Sequence, residues 1–197
     1  MDTRIKAVTF DEEKHKYFYN GHELHGVTGA IGKIMGKSFP ETDTVRLAKM
    51  YGSDVHKDVE NYFNQHDHWF NDSKLSTEGA QWVVDTLKDF CTCTPRFFLN
   101  MECEVMVSDF EGTASKVDVV LRTRDNTAYL FDIKTTSHFD RPYCSLQLSV
   151  YKKLFEACYG MNVEGLYVLA TKSKRMFRII EQEESKVQKI LDMNKAI

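Results

Sequence analysis

The sequence predicts an α/β domain in which helices flank a mixed central β-sheet and a β-hairpin lies at the N-terminus. Its 197 residues are enough for one full-sized domain, and 42% of them are hydrophobic and 28% charged, as in an average globular protein. The spacing of apolar residues changes repeatedly between a period near two and a period near 3.6, so strands and helices are interspersed. We therefore treat residues 1–197 as a single domain.

Residues 1–42 are predicted to form the hairpin and a loop. Lys6–Phe10 and Lys16–Asn20 are short runs rich in aromatic and β-branched residues, which favour strands. Asn20-Gly21 is a dipeptide that accepts the positive φ angles of a two-residue hairpin turn. The glycine-rich stretch from Gly26 to Pro40 then predicts a loop.

The remainder of the chain divides into a helical part, a sheet part and a terminal helix. In the helical part, residues 43–92, one helix begins at Asp43 or Thr44 and a second covers Thr77 to Phe90. The sheet part, residues 100–181, contains five predicted strands: Glu102–Val107, Lys116–Leu121, Ala128–Ile133, Leu166–Ala170 and Met176–Ile180. Pro142 suits the first turn of a helix that continues to about Tyr159. Residues 182–197 form the terminal helix.

The charge and composition exclude several classes of protein. A net charge of −3 excludes a histone-like polycation, although it is compatible with an enzyme that carries acidic metal ligands. No apolar run approaches the length of a membrane-spanning helix, and residues 1–10 do not resemble a secretory signal. The five cysteines, an odd number without a regular framework, indicate free thiols. We expect a cytoplasmic protein without a membrane partner.

Charged residues inside two apolar strands are the first indication of a metal-binding or catalytic site. Asp118 lies in one strand, and Asp132 and Lys134 lie two residues apart in the next, so the last two share a face. Two carboxylates that converge from neighbouring strands are suitable oxygen ligands for Mg²⁺ or Mn²⁺. A single D-x-K pattern is more often a solvated strand end with a surface ion pair, so further residues must support this interpretation.

Two helices supply such residues. Gln147 and Tyr151 are four residues apart on the helix after the second strand and so share one face. On the first long helix, Gly52, His56 and Glu60 form one stripe, and the imidazole could supply a nitrogen ligand to the same cation. Each pair taken alone is ordinary for a helix surface.

In this order, the G-x-x-x-H, aspartate, D-x-K and Q-x-x-x-Y motifs resemble those of the PD-(D/E)XK nucleases, in their RecB-like, phage-type exonuclease branch. The resemblance extends from Gly52 to Tyr151, and the Gly26-Val27-Thr28 segment also resembles phage-type members. It implies a restriction-endonuclease-like core, with residues 100–181 as the catalytic part, and metal-dependent hydrolysis of DNA.

The resemblance also implies a role for each residue. His56, Asp118, Asp132 and the carbonyl of Ile133 would bind one or two Mg²⁺ or Mn²⁺ ions. Lys134 would position the attacking water, and Gln147 and Tyr151 would orient the water or the DNA strand. Glu104, in preference to Glu102, would join the metal ligands, and Glu60 would support His56. No iron–sulfur cluster is expected, because no cysteine follows Cys158. Ser115 stands near a position where the family often has glycine.

Basic residues elsewhere are candidates for contact with nucleic acid. Lys172, Lys174, Arg175 and Arg178 form a basic run. Such a run is usually a solvated face, but in a nuclease it would contact phosphates, through Lys172, Lys174 and Arg175 above all. Lys37 and Thr28 are further candidate DNA contacts. DNA is the expected partner, together with a recombination or single-strand-binding protein, and the oligomeric state is open.

The leading hypothesis is therefore a Mg²⁺- or Mn²⁺-dependent exodeoxyribonuclease of bacterial or phage origin that acts on DNA ends in recombination or repair. One alternative is a catalytically inactive nucleic-acid-binding module with the same fold, and another is an endonuclease of the same superfamily. A small-molecule hydrolase that uses the same cation is a further alternative, and it would require a closed pocket in place of an open groove.

Overall fold

The structure is a computed structural model that describes residues 2–36, 42–65, 75–94 and 98–195. A short 3-10 helix, Thr3–Ala7, precedes the first strand. The strands are β1 Val8–Asp11, β2 Lys16–Tyr19, β3 His22–Gly26, β4 Phe98–Ser108, β5 Thr113–Thr123, β6 Thr127–Lys134, β7 Asn162–Ala170 and β8 Arg175–Arg178. The helices are α1 Val27–Ile34, α2 Asp43–Gln65, α3 Glu78–Cys93, α4 Arg141–Tyr159 and α5 Glu184–Lys195.

The strands form one mixed sheet in the order β1-β2-β3-β5-β6-β7-β8, and β4 also pairs with β5. Most neighbours are antiparallel, but β3 is parallel to β5 and β6 is parallel to β7. α4 is the crossover between the parallel strands β6 and β7, as expected for a β-α-β connection. The predicted fold class, a mixed α/β sheet with an N-terminal hairpin, is therefore confirmed.

Helices cover both faces of the sheet. α1, α4 and α5 pack on one face, where α1 contributes Val27 and Ile31 and α5 contributes Ile190 to the buried cluster. α2 and α3 pack on the other face, with Val55 of α2 and Leu87 of α3 fully buried. No helix in the described parts of the chain is long and apolar enough to cross a membrane.

The N-terminal region differs from its prediction. β1 and β2 form the expected hairpin, but the turn at Asn20-Gly21, with φ of 49° and 82°, joins β2 to a third strand, β3. The loop predicted from Gly26 to Pro40 is wrong for residues 27–34, which form α1. Burial of Val27, Ala30 and Ile31 against α4 compensates for the low helix propensity of the glycines in this segment.

β4 changes face at Glu104. Cys103 packs with the α2–α3 cluster, whereas Val105 lies in the cluster with α4. Residues two apart in a regular strand point to the same face, so the strand is irregular between these two positions. Glu104 has a φ of 53°, in the left-handed region that side chains other than glycine seldom adopt. Such strain is often found at functional sites.

β5 changes face at Asp118, the residue opposite Glu104. Val117 lies in the cluster with α4, whereas Val119 lies in the cluster with α2 and α3. The register pairs Val105 with Val117 and Cys103 with Val119, so Glu104 and Asp118 stand opposite each other. The irregularity therefore brings two carboxylates to one place in the sheet.

The turn between β4 and β5 is tightly packed against the end of α5. A Cβ atom on Gly112 would lie 2.7 Å from the Lys195 nitrogen and 2.8 Å from the Asn194 carbonyl. Both neighbours are backbone atoms, which cannot rotate away. We expect Gly112→Ala to lower the free energy of unfolding by about 1–3 kcal/mol, as overpacking in a core does.

Urea unfolding followed by circular dichroism measures this difference, and Gly29→Ala is the matched control. A Cβ on Gly29 meets nothing within 4 Å, and this residue lies inside α1. The control is expected to raise the free energy of unfolding by about 0.5–1 kcal/mol through helix propensity. Equal stability of Gly112→Ala and the wild type would show that α5 does not pack as described.

Candidate metal centre

Three side chains from α2, β4 and β5 converge at the irregular point of the sheet. The ligand atoms of His56, Glu104 and Asp118 all lie within 4.8 Å of one another. His56 Nδ1 is 3.8 Å from Glu104 Oε1 and 3.8 Å from Asp118 Oδ1. We call these three residues the His–Glu–Asp group.

The backbone of Ile133 in β6 holds two members of this group in place. Its N–H donates a hydrogen bond of 2.7 Å to Asp118 Oδ2, and its carbonyl oxygen lies 3.3 Å from His56 Nε2. The role of metal ligand that the resemblance implied for this carbonyl stays a prediction, and in the structure the carbonyl is placed to accept a hydrogen bond from His56. An imidazole oriented through one nitrogen in this way presents the other nitrogen to the carboxylates.

Gly52, one turn before His56, permits a close approach between α2 and the end of β6. A Cβ atom on this residue would lie 3.0 Å from Thr135 Oγ1. The absence of a side chain at Gly52 therefore leaves room for Thr135, the residue that follows Lys134.

Asp132 and Lys134 form an ion pair beside the His–Glu–Asp group. The Lys134 ammonium donates to Asp132 Oδ1 at 2.8 Å and lies 2.7 Å from Oδ2. The Asp132 side chain is 2% exposed, whereas the lysine reaches the surface with 24% of its side chain exposed. Asp132 thus lies outside the three-residue group, but close enough for its charge to act on Asp118.

α4 extends this arrangement through a buried hydrogen-bond network. Lys134 Nζ donates to Gln147 Oε1 at 3.3 Å, and Gln147 Nε2 donates to the Tyr151 hydroxyl at 2.9 Å. The Ser115 hydroxyl donates to the same Tyr151 oxygen at 3.1 Å. Ser115, which departs from the family pattern, therefore takes part in the network that holds the lysine.

Burial and neighbouring charges shift the pKa values of all three members of the His–Glu–Asp group. Burial alone would lower the pKa of His56, but the Asp118 and Glu104 carboxylates outweigh it and raise this pKa to about 9. Burial raises the pKa of Asp118 to about 6 against the attraction of His56. Burial also works against ionisation of Glu104, yet hydrogen bonding to His56 and the charge of Lys116 leave its pKa below the usual value.

This set of donors fits a hard divalent cation. Two carboxylates and one imidazole within 4.8 Å are ligands suited to Mn²⁺ or Mg²⁺, and none of the three is a thiolate. His56 would supply Nδ1, and Glu104 and Asp118 one or more oxygens each. The cation would replace the proton that the carboxylates now favour on His56.

His56 and Glu104 of the His–Glu–Asp group line a surface cleft of about 890 Å³. α2 lines one side with Lys49, Gly52 and His56, and the first hairpin lines another with Phe10 and His15. Several lining residues are exposed, so the cleft is a groove at the surface and does not form the closed pocket of the small-molecule alternative.

Of the other predicted residues that the structure describes, most do not line this cleft. Glu60 lines the cleft and is ion-paired with Lys57, whereas Glu102 pairs with Arg122. The remaining residues are candidates for contact with nucleic acid. Thr28 is exposed in the first turn of α1, and Lys174 is ion-paired with Glu78. Lys172 lies over the Tyr51 ring, and Arg175 lies over the Phe177 ring. Lys37 lies outside the described residues.

Lys116 is a site residue that the sequence analysis did not single out. Its ammonium lies 3.6 Å from Glu104 Oε2 and 4.6 Å from the centre of the Phe10 ring, so it connects the hairpin to the acidic group. The signal was present in the sequence, because Lys116 stands two residues before Asp118 in a predicted strand.

Comparison with known proteins gives little further information. No family model matches the chain, and none of the curated proteins matches it. Among solved structures, the chain is similar to the crystal structure of a "putative exonuclease" from Eubacterium rectale. The TM-score is 0.43 and the identity is 14%, over 88% of this chain and 77% of that one. A similarity of this degree carries no argument about function, so the function must be argued from the site.

Proposed function

We propose that this chain is a metal-dependent deoxyribonuclease of the PD-(D/E)XK type, in its RecB-like, phage-type branch. The observation that carries the proposal is the convergence of His56, Glu104 and Asp118 within 4.8 Å, next to the Asp132–Lys134 pair. A cation held by these residues would polarise a phosphoryl oxygen and lower the pKa of a bound water.

The residues around the cation site have separable tasks in this proposal. Glu104 and Asp118 offer negative charge for the cation, and His56, held by the Ile133 carbonyl, offers a nitrogen. Lys134 stays protonated because the charges of Asp132 and Asp118 outweigh the effect of burial and raise its pKa. Its ammonium can therefore hold the water or stabilise charge that develops on the phosphate. Gln147 fixes the position of that ammonium.

The proposal extends to exonuclease action on DNA ends in recombination or repair. An open cleft that contains a cation site and basic side chains suits a polymer with a phosphate backbone. An exonuclease requires a strand terminus, whereas an endonuclease of the same superfamily does not.

Digestion of labelled linear and circular DNA tests the proposal. Wild-type protein is incubated with end-labelled linear duplex, linear single strand and covalently closed circle, each with Mn²⁺, Mg²⁺ or EDTA. We expect release of label from linear DNA with either cation, no release in EDTA and an intact circle. Nicking of the circle would assign endonuclease action, and binding without hydrolysis under every cation would assign the inactive module.

Binding of Mn²⁺ is expected to strengthen as the pH rises. A histidine must be neutral to bind a metal ion, and the pKa of about 9 keeps His56 protonated at pH 7. Each binding event therefore releases a proton, and the apparent association constant should increase by up to about tenfold per pH unit between pH 7 and 8.5. Asp118, with a pKa of about 6, is already ionised in this range.

Isothermal titration calorimetry with Mn²⁺, in pairs of buffers that differ in ionisation enthalpy, measures both the affinity and the protons released. His56→Gln is the control variant, for which weaker affinity without this pH dependence is expected. An affinity of the wild type that stays constant from pH 7 to 8.5 would contradict the assignment of His56.

A further inference from the structure

Two arginines flank one phenylalanine at the edge of the sheet formed by β8. The His–Glu–Asp group lies on the other side of β6 from this edge. Arg141 begins α4 and Arg175 begins β8. Their guanidinium carbons lie 4.8 Å and 5.2 Å from the centre of the Phe177 ring. Phe139, in the connection between β6 and α4, packs against the same ring at 5.2 Å. We call the two guanidinium groups the arginine pair.

The arginine pair has no acidic partner among the described residues. Three lysines of α4 and of the β7–β8 turn, Lys152, Lys153 and Lys174, are by contrast each ion-paired with a glutamate. Both arginines are exposed. Stacking on a ring uses the face of a guanidinium and leaves the N–H donors at its edge available for an anion.

The register of the sheet places Arg175 two strands away from Lys134. Ala170 of β7 pairs with Lys134 on one side and with Arg175 on the other. The Cα atoms of Lys134 and Arg175 are therefore two strand spacings apart, about 10 Å. Directly paired residues point to the same face of a sheet, so Arg175 and Lys134 both lie on the α4 side. Val168 connects Asp132 to Phe177 in the same way.

We propose that the arginine pair binds backbone phosphates of the DNA strand on the side of the cleaved phosphodiester away from His56. This inference rests on the proposed function for the identity of the polymer. The planar donor edges of arginine match the oxygens of a phosphate diester, and two of them without carboxylate partners favour an anion. Because Phe177 is covered by the guanidiniums and by Phe139, it serves as their support and does not stack on a base.

The salt dependence of DNA binding tests this inference independently of hydrolysis. Binding of a fluorescein-labelled 20-nucleotide single strand is measured by anisotropy in EDTA, over a series of NaCl concentrations. The variants are Arg141→Gln, Arg175→Gln and the double substitution. Arg124→Gln is the matched control, because Arg124 is exposed in the turn at the opposite end of β6.

We expect the slope of log K against log salt to decrease by about 0.7 for each arginine removed, with affinity at least about tenfold lower for the double variant. The control should bind as the wild type does. Each single variant should show about half of the change in slope. The single variants therefore test the inference even if the double variant does not fold. For DNA that is hydrolysed, KM should rise while kcat stays unchanged.

The outcomes separate this inference from the proposed function. Wild-type slopes and affinities for all three variants would overturn the arginine pair, even if the protein hydrolyses DNA. Loss of binding in the variants of a protein that hydrolyses no DNA would support the arginine pair while the nuclease proposal fails.

Discussion

Replacing Lys134 by glutamine is expected to slow DNA hydrolysis by about 10²–10³-fold while Mn²⁺ binds as tightly as before or more tightly. The Lys134 ammonium donates to Asp132 Oδ1 and to Gln147 Oε1, and it forms an ion pair with the Asp132 carboxylate. Glutamine keeps a hydrogen-bond donor for Asp132 but removes the charge that would stabilise the reacting phosphate. Loss of a positive charge near the cation site cannot weaken the attraction for Mn²⁺.

Single-turnover hydrolysis of end-labelled DNA, together with Mn²⁺ titration calorimetry, measures the two effects separately. Lys189→Gln on the exposed side of α5 is the matched control and should hydrolyse DNA at the wild-type rate. A thermal melt monitors folding, because an unpaired Asp132 would be costly in its buried position. Wild-type rates for Lys134→Gln would remove the lysine from the mechanism.

Replacing Asp118 by asparagine is expected to abolish detectable cation binding and to slow hydrolysis strongly. The substitution removes one of the two carboxylates in the His–Glu–Asp group, and the rate should fall on the order of 10³-fold because the several kcal/mol supplied by a bound cation are lost. The fold should persist, since an asparagine oxygen can still accept the hydrogen bond from the Ile133 N–H.

Mn²⁺ calorimetry and the same hydrolysis assay measure this loss, with Asp192→Asn on the exposed face of α5 as the control. The control should bind Mn²⁺ and hydrolyse DNA as the wild type does. An Asp118→Asn variant that binds Mn²⁺ normally would show that the cation does not bind at this group.

The helices and strands with a strongly periodic pattern of apolar residues were predicted from the sequence. α2, α3, α4 and the strands β4 to β8 were recognised from apolar spacing, and Pro142 marked the first turn of α4. β3 and α1 were not recognised. β3 has only five residues, of which Leu24 alone is buried, and the glycines near α1 indicate a loop on local propensity. The conformation of α1 is instead determined by its packing on α4, a contact between segments that are far apart in the sequence.

Parts of the candidate site also followed from local spacing. Asp132 and Lys134, two apart in a strand, form an ion pair, and Gln147 and Tyr151, four apart in a helix, form a hydrogen bond. The position of His56 opposite Asp118 followed only from the resemblance to a family, because no period relates a helix to a strand sixty residues later.

Two features had no local signal. The left-handed φ of Glu104 and the change of face on both strands break the alternation from which strand faces are predicted. The contact between Arg141 and Phe177 depends on the pairing of β7 with β8 and on the start of α4, which only the assembled sheet brings together.

Crystals of the protein soaked in Mn²⁺ provide the most direct test of the central claim, through the anomalous scattering of the ion. The account predicts an anomalous peak within about 2.5 Å of His56 Nδ1 and of carboxylate oxygens from Glu104 and Asp118. Anomalous density only at other places, or none at all at saturating Mn²⁺, would contradict it.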